Sequence, residues 1–255
     1  MIAKKSFGQH FLKNQGVVKQ IIAAAEIKPG EVVLEVGPGR GVLTEALVET
    51  GAHVIAVEAD RDLIPLLADR FGSKITLIEG DILTFDAGRL GDRPFKLVAN
   101  LPYNIASAVI EKFFVAAARP TRMVVMVQKE VADRMLAKPG EMSVLTVACQ
   151  LYAHLKRVVN VSPGSFNPPP KVDSTVVRLD IKNDLDANEQ IIALAKAGFH
   201  SRRKQLHRNL ADQKIASSEV IKSLLADLGL PPTARAQELR IEQWVELHRR
   251  LALHL

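Results

Sequence analysis

The sequence has few of the residues that build disulfides, metal centres and membrane spans. Its only cysteine, Cys149, excludes an intramolecular disulfide, and its apolar neighbours in VLTVACQLY predict a core position. The seven histidines show no metal-ligand spacing, so we expect no metal. The first apolar run, residues 21–25, is too short for a signal peptide, and no stretch approaches the roughly 20 apolar residues that span a bilayer. These absences predict a soluble, cytoplasmic protein without a membrane partner.

Basic residues are in excess and are clustered. The formal net charge is +6 and the sequence pI is about 9.5, which favours an anionic partner without identifying one. The first 30 residues carry five lysines against Glu26 alone, and a second cluster, HSRRKQLHR, covers residues 200–208. We predict that the second cluster lies within one or two helical turns and either binds phosphate groups or forms a solvated helix face. The residues predicted to bind are Arg202, Arg203, Lys204 and Arg208.

Strand and helix patterns alternate through the first two thirds of the chain, which predicts an α/β fold with a mostly parallel, doubly wound sheet. Helical spacing occurs in LTEALVET, RDLIPLLADRF and ASAVIEKFFVAAA. A final strand follows the proline-rich loop SPGSFNPPPKVD, and only helical patterns follow the polar stretch KNDLDANEQ. We therefore predict a first domain over residues 1–184 and a small helical domain over residues 185–255. The predicted strands cover residues 31–36, 53–58, 75–80, 95–100, 122–128 and 174–181.

A glycine loop, EVGPGRG, connects the first predicted sheet strand to a helix at residues 35–41. Its spacing is GxGxG, and Val42 occupies the position where a dinucleotide fingerprint has its third glycine. Glu58 and Asp81 end the next two strands, where carboxylates can accept hydrogen bonds from a ribose diol and from an adenine amino group. Together these features predict a bound adenosine, with NAD and S-adenosylmethionine both possible. The alternatives are a tight turn and solvated strand ends.

The segment NLPY, residues 100–103, ends the fourth predicted sheet strand at the same edge. An adenine amino group is a poor nucleophile because its lone pair is delocalised into the ring. Hydrogen-bond acceptors that hold its N–H bonds can turn the lone pair toward a methyl donor. The Asn100 amide oxygen and the Leu101 carbonyl oxygen could be those acceptors, because Pro102 restricts the backbone there. Tyr103 offers a ring on which a base can stack. The alternative is a proline turn that N-caps the next helix at Asn104.

Four motifs, GQHFL, EVGPGRG, NLPYN and SFNPPPKVDS, together resemble the ribosomal RNA adenine N6-dimethyltransferases. The resemblance covers nearly the whole chain, including RRKQL and ARAQELRIEQW near its end. It is strongest to the bacterial small-subunit enzymes associated with kasugamycin sensitivity. These enzymes dimethylate two adjacent adenosines near the 3′ end of 16S rRNA, so the expected partner is small-subunit rRNA within an immature 30S subunit. We expect a monomer that needs no metal.

The resemblance also implies roles for individual residues. Phe166 would cover the second face of the target adenine, opposite Tyr103, although such a residue more often anchors a loop to the core. Family members often have Asn at the position of His10, so a backbone contact there is favoured over a side-chain contact. The residues implied in binding S-adenosylmethionine are Gln9, His10, Leu12, Gly37, Gly39, Glu58, Asp81 and Asn100.

The sequence leaves three rival functions open. A related methylase of large-subunit rRNA, as in macrolide resistance, shares the NLPY motif. A ribosome-assembly or transcription factor could keep the fold for RNA binding alone, although the intact glycine loop and strand-end acids argue against lost cofactor binding. A nicotinamide-dependent oxidoreductase is the most distant.

Overall fold

The computed structural model describes residues 9–91, 93–183 and 188–253 and divides the chain into two compact units. One unit takes in the chain up to Ala132 together with His154–Ile181, and the other takes in Asp133–Ala153 and the chain from Lys182 onward. The predicted boundary between residues 184 and 185 lies outside the described residues. The sequence pattern did not assign residues 133–153 to the second unit.

The strands, in chain order, are β1 (Phe11–Leu12), β2 (Val32–Val36), β3 (His53–Glu58), β4 (Ile75–Glu79), β5 (Phe95–Asn100), β6 (Arg122–Gln128), β7 (Ala153–Val161), β8 (Phe166–Asn167) and β9 (Ser174–Ile181). Seven of them form one sheet in the order β4-β3-β2-β5-β6-β9-β7. The pairs β4–β3, β3–β2, β2–β5 and β5–β6 are parallel, whereas β9 runs antiparallel to β6. A separate two-stranded antiparallel sheet joins β1 to β8. This confirms the predicted mostly parallel α/β class.

The parallel strands form where β-branched and apolar residues are buried on both faces of the sheet, and all five residues of β2 are buried. Their register aligns the strand ends, because Val36 pairs with Val57 on one side and with Ala99 on the other. The residues that follow these strands therefore meet at one edge of the sheet. The predictions for β2 to β6 and for β9 are confirmed, but β7 was not predicted.

Helices cover the sheet and build the second unit. The N-cap residue of the first helix is Asn14, whose side chain accepts a hydrogen bond from the backbone N–H of Gly16 at 2.9 Å. The helices are α1 (Gln15–Ala25), α2 (Val42–Glu49), α3 (Ile64–Phe71), α4 (Ala106–Val115), α5 (Lys129–Met135), α6 (Val144–Tyr152), α7 (Asn188–Gly198), α8 (Leu206–Asp212), α9 (Ser218–Asp227) and α10 (Ile241–Leu251). Within the described ranges, none of these helices combines the length and apolar character needed to cross a membrane.

The second unit has a small core around Trp244, whose side chain is fully buried. The Phe199 ring stacks against it with ring centroids 5.8 Å apart. Gly198 permits this packing, since a Cβ atom there would lie 2.7 Å from the indole ring. Aromatic packing at the end of α7 therefore holds α7 and α10 together.

Candidate active site

A cavity of about 300 Å³ lies at the carboxyl ends of the parallel strands, where ligands of such sheets bind. The N-terminal segment that precedes β1 forms part of its wall. Ten residues predicted from the sequence line it: Gln9, His10, Gly37, Gly39, Glu58, Asp81, Asn100, Leu101, Pro102 and Tyr103. Two predicted residues, Leu12 and Phe166, do not line it.

The glycine loop between β2 and α2 follows a backbone path that requires residues without a Cβ atom. Gly39 has φ +59°, and a Cβ atom there would lie 3.0 Å from the Phe11 ring. Gly41 has φ +79° at the start of α2, and a Cβ atom there would lie 2.5 Å from the Phe71 ring. The glycines thus combine a left-handed backbone with close packing, and the loop passes directly beside the cavity.

Glu58 joins the end of β3 to the glycine loop. One carboxylate oxygen accepts a hydrogen bond from the Gly39 N–H at 3.1 Å, and the other accepts from the Asp60 N–H at 2.9 Å. Burial raises the pKa of the Glu58 carboxyl, while these two backbone hydrogen bonds oppose the rise. A carboxylate has about four acceptor sites, so both oxygens retain capacity for a ligand.

Asp60 is a buried acid next to the cavity-lining residues Glu58 and Ala59, and the sequence analysis did not single it out. Its side chain is 3% exposed, and one of its oxygens accepts a hydrogen bond from the Gln9 side chain at 2.7 Å. This bond ties the N-terminal segment to the residues that follow β3. The sequence signal that could have identified Asp60 is its position two residues after Glu58, the acid that ends β3.

Asp81 follows β4 and is exposed at the cavity wall. One of its carboxylate oxygens accepts a hydrogen bond from the Leu83 N–H at 2.9 Å, which orients the side chain. Gly80 positions the turn, because its N–H donates to the Glu58 carbonyl oxygen at 2.9 Å. The two predicted strand-end acids therefore lie at one wall, as their strand positions indicated.

The NLPY segment is fixed at both of its ends. The Asn100 side-chain nitrogen donates to the His10 carbonyl oxygen at 3.1 Å, so its amide oxygen is the end left to accept. The Tyr103 hydroxyl shares a 2.7 Å hydrogen bond with the Ser174 hydroxyl, and burial raises the pKa of Tyr103, which keeps it neutral. The alternative of an N-cap at Asn104 is wrong, because Ile105 occupies that position before α4.

His10 contacts the NLPY segment through its side chain as well as its backbone. Its ring stacks on that of Tyr103, with centroids 5.6 Å apart and planes inclined by 28°. Its Nδ1 atom donates to the Pro168 carbonyl oxygen at 2.9 Å. Sequence reasoning did not foresee this ring contact.

Phe166 lies in the core, where it is 1% exposed and pairs with Leu12 across the β1–β8 sheet. The implied contact of Phe166 with a target base would require its ring to leave the core. The alternative, a loop anchor packed on the core, describes the observed position. Leu12 lines a smaller cavity of about 40 Å³ behind the glycine loop.

Glu35 also borders this smaller cavity and was not predicted to be unusual. Its side chain is 1% exposed, and its Oε2 atom has no hydrogen-bond partner among the described residues. Burial raises the pKa of Glu35 to about 8, and the charge of nearby Glu58 acts in the same direction. The carboxyl group is therefore largely neutral at pH 7.

The predicted basic cluster lies mainly in the turn between α7 and α8, so its prediction as helix was wrong for Arg202, Arg203 and Lys204. The Asn209 side chain donates to the carbonyl oxygens of Gly198 and Ser201 at 2.6 and 3.0 Å, which caps α7 and stabilises the turn. All four basic residues are exposed; Arg208 lies on α8, and Lys204 is paired with Asp212 at 2.8 Å.

Known proteins resemble the chain over almost its full length. "Ribosomal RNA small subunit methyltransferase A" of Dehalococcoides mccartyi is 46% identical over 253 residues, which cover 96% of this chain and 87% of the relative. The protein of that name from Thermosynechococcus vestitus is 43% identical, with 96% and 95% covered. Among solved structures, a dimethyladenosine transferase from Plasmodium falciparum has TM-score 0.80 and 30% identity, with 93% and 96% covered. The 23S rRNA methyltransferase ErmE has TM-score 0.78 and 27% identity, with 95% and 99% covered.

The sheet order, the glycine loop and the cavity at the strand ends define a Rossmann-like methyltransferase. A family model described as "Ribosomal RNA adenine dimethylase" matches residues 2–253. The chain belongs to this family and is an rRNA adenine dimethyltransferase. The family implies S-adenosylmethionine as methyl donor and ribosomal RNA as substrate. The described residues contain no group of three or more His, Cys, Asp or Glu side chains arranged to hold a metal ion.

Proposed function

We propose that the protein dimethylates the N6 amines of two adjacent adenosines near the 3′ end of small-subunit rRNA, within an immature 30S subunit. The observation that carries the proposal is that Asn100 and Tyr103 line the same cavity as the glycine loop and Glu58. Small-subunit RNA is favoured because relatives named for that subunit are 46% identical, whereas the 23S enzyme is 27% identical.

The residues present suit S-adenosylmethionine at the strand ends. Gly39 leaves the wall of the glycine loop without a side chain, and Glu58 and Asp81 present carboxylates where ribose hydroxyls and the adenine amino group would donate. We assign Gln9, His10, Leu12, Gly37 and Asn100 to the same donor site, with His10 and Leu12 acting through their backbone. When bound, the donor supplies an electrophilic methyl group.

The other end of the cavity would hold the target base after it leaves its stack. The Asn100 oxygen and the Leu101 carbonyl oxygen accept the amine hydrogens, Pro102 restrains the backbone, and Tyr103 stacks on the base. Its hydrogen bond to Ser174 orients the Tyr103 ring. The geometry of these groups directs the amine lone pair toward the methyl group, so the chain contributes positioning, and the released proton passes to solvent. Phe166 would contact the base only after leaving the core.

RNA binding is assigned to the exposed basic turn with Arg202, Arg203, Lys204 and Arg208. Phosphate contacts by such residues release counterions, which makes binding salt-dependent. We propose further that the enzyme acts as a monomer, without metal, in the cytoplasm where its ribosomal substrate is assembled.

The test is to incubate the protein with labelled S-adenosylmethionine and undermethylated small subunits or large subunits, and then to locate the labelled bases. We expect two dimethylated adenosines near the 3′ end of small-subunit rRNA, and no transfer by Asn100→Ala despite retained RNA affinity. Label confined to large-subunit rRNA would replace this proposal with the large-subunit alternative. Donor binding without transfer to either subunit would overturn the proposed activity.

A further inference from the structure

The turn that follows β4 begins at Asp81 and is capped by it. Asp81 and the next residue, Ile82, both line the cavity. The Asp81 carbonyl oxygen accepts hydrogen bonds from the N–H groups of Thr84 and Phe85 at 3.1 and 3.0 Å. Its carboxylate accepts a hydrogen bond from the Leu83 N–H at 2.9 Å. These are the contacts of an N-cap, in which the position of the carboxylate depends on the turn behind it.

Lys112 binds the other end of the same turn. Its amino group donates hydrogen bonds to the carbonyl oxygens of Leu83 and Phe85. Carbonyl groups at the end of a helical turn have no partner within the turn, and the peptide dipoles favour a cation beside them. A lysine has three donors, so one side chain can hold both carbonyls. The turn is therefore capped by Asp81 at its beginning and by Lys112 at its end.

Lys112 reaches the turn from a well-anchored helix, α4. Phe113, the next residue, is fully buried, and its ring packs edge-on against that of Phe95 in β5, with centroids 6.3 Å apart. Burial lowers the pKa of Lys112, while the negative charges of Asp81 and Asp86 oppose the decrease. Lys112 thus joins a fixed helix to an acidic turn whose two bonded carbonyls lie 29 and 27 residues earlier in the chain.

We propose that Lys112 is a positioning residue for the adenine of the methyl donor, because it holds the turn that sets the place of the Asp81 carboxylate. Lys112 does not line the cavity and takes no part in breaking or forming bonds. It acts through Asp81, so that the carboxylate is already in place when the adenine amino group arrives. The proposal rests on the proposed function, which assigns Asp81 to the donor site.

Three substitutions test whether the Lys112 amino group holds the turn. Lys112→Met keeps the apolar stem and loses the donors, Lys112→Gln keeps a shorter, uncharged donor, and Lys112→Arg keeps a long cationic donor. Lys19→Met, at an exposed position on α1, is the matched control. Urea unfolding of each variant without donor reports whether the fold survives, and Lys112→Gln carries the comparison if Lys112→Met is unfolded.

Calorimetry should show a graded loss of affinity for S-adenosylmethionine. We expect Lys112→Met to bind about three- to tenfold more weakly, which is the range for one ordinary hydrogen bond, and Lys112→Gln to lie between it and wild type. Lys112→Arg and Lys19→Met should stay within about twofold of wild type. In single-turnover methylation of undermethylated small subunits at saturating donor, Lys112→Met should also stay within about twofold, because only donor binding is weakened.

A double-mutant cycle with Asp81→Ala shows through which residue Lys112 acts. If Lys112 acts through Asp81, adding Lys112→Met to the Asp81→Ala variant should weaken donor affinity by less than about twofold further. A further loss as large as that of Lys112→Met alone would mean that Lys112 acts on another part of the donor site, and would overturn the proposal.

The single variants separate this proposal from the assignment of Asp81. If Asp81→Ala binds the donor weakly while Lys112→Met binds it as wild type does, only the role of Lys112 fails. If Lys112→Arg is as weak as Lys112→Met, a cationic donor to the two carbonyls is not what matters, and the proposal is overturned. If Asp81→Ala itself keeps wild-type affinity, Asp81 leaves the donor site, and the role of Lys112 fails with it.

Discussion

Replacing Glu35 with Gln should remove a decrease in the free energy of unfolding that the wild-type protein undergoes as pH rises. The folded protein holds a proton on Glu35 up to about pH 8, whereas the unfolded chain releases it near 4.5. Between these values the unfolded state binds fewer protons, so the free energy of unfolding falls as pH rises, by about 1.4 kcal/mol per pH unit. Over the whole interval the loss is about 4 to 5 kcal/mol, which is large against a typical total of about 5 to 15 kcal/mol.

Glu35→Gln keeps the shape of the neutral carboxyl group and cannot ionise. We expect it to match wild type within about 1 kcal/mol near pH 5 and to exceed it by several kcal/mol near pH 8.5. Urea unfolding at a series of pH values measures both proteins, and subtracting the curves cancels the other titrating groups. Glu49→Gln, on an exposed side chain of α2, is the matched control. If the free energies of unfolding of wild type and Glu35→Gln differ by the same amount from about pH 5 to pH 8.5, the reasoning is refuted.

Three further predictions follow from individual contacts. Gly41→Ala should lower the free energy of unfolding by about 1 to 3 kcal/mol, because its Cβ atom would lie 2.5 Å from the Phe71 ring; an unchanged urea midpoint would contradict this. Asp81→Ala should weaken calorimetric affinity for S-adenosylmethionine by about tenfold or more while the fold survives, and unchanged affinity would remove Asp81 from the donor site. Combined Arg202→Ala and Arg203→Ala should weaken small-subunit binding and flatten its salt dependence without changing donor affinity, whereas an unchanged salt slope would place the RNA surface elsewhere.

The parallel strands and the cavity could be predicted because their signals are local. Buried β-branched runs define each strand, and parallel pairing brings the residues after each strand to one edge of the sheet. The amino-acid sequence alone was therefore enough to place Gly37, Glu58 and Asp81 together. Strand β7 gives no such signal, because it follows α6 without a turn and alternates irregularly, with Lys156 and Arg157 exposed.

The contacts of the aromatic residues could not be predicted, because they depend on pairing between distant segments. The β1–β8 sheet joins Leu12 to Phe166 and carries Phe166 into the core. The same pairing brings His10 close enough to Pro168 for a hydrogen bond. No local pattern in a two-residue strand reports a partner that lies about 150 residues away. The turn at Arg202 was missed for a similar reason, since the capping side chain belongs to Asn209 on the next helix.

The pairing of β1 with β8 also determines when the cavity can close during synthesis of the chain. The segment with Gln9 leaves the ribosome first, but Phe166 and Asn167 leave it only after more than 150 further residues. At about 5 to 20 residues per second, the early segment waits roughly 8 to 30 seconds for its partner strand. The β1–β8 pairing, which holds the N-terminal segment that forms part of the cavity wall, therefore cannot form until the sheet is nearly complete.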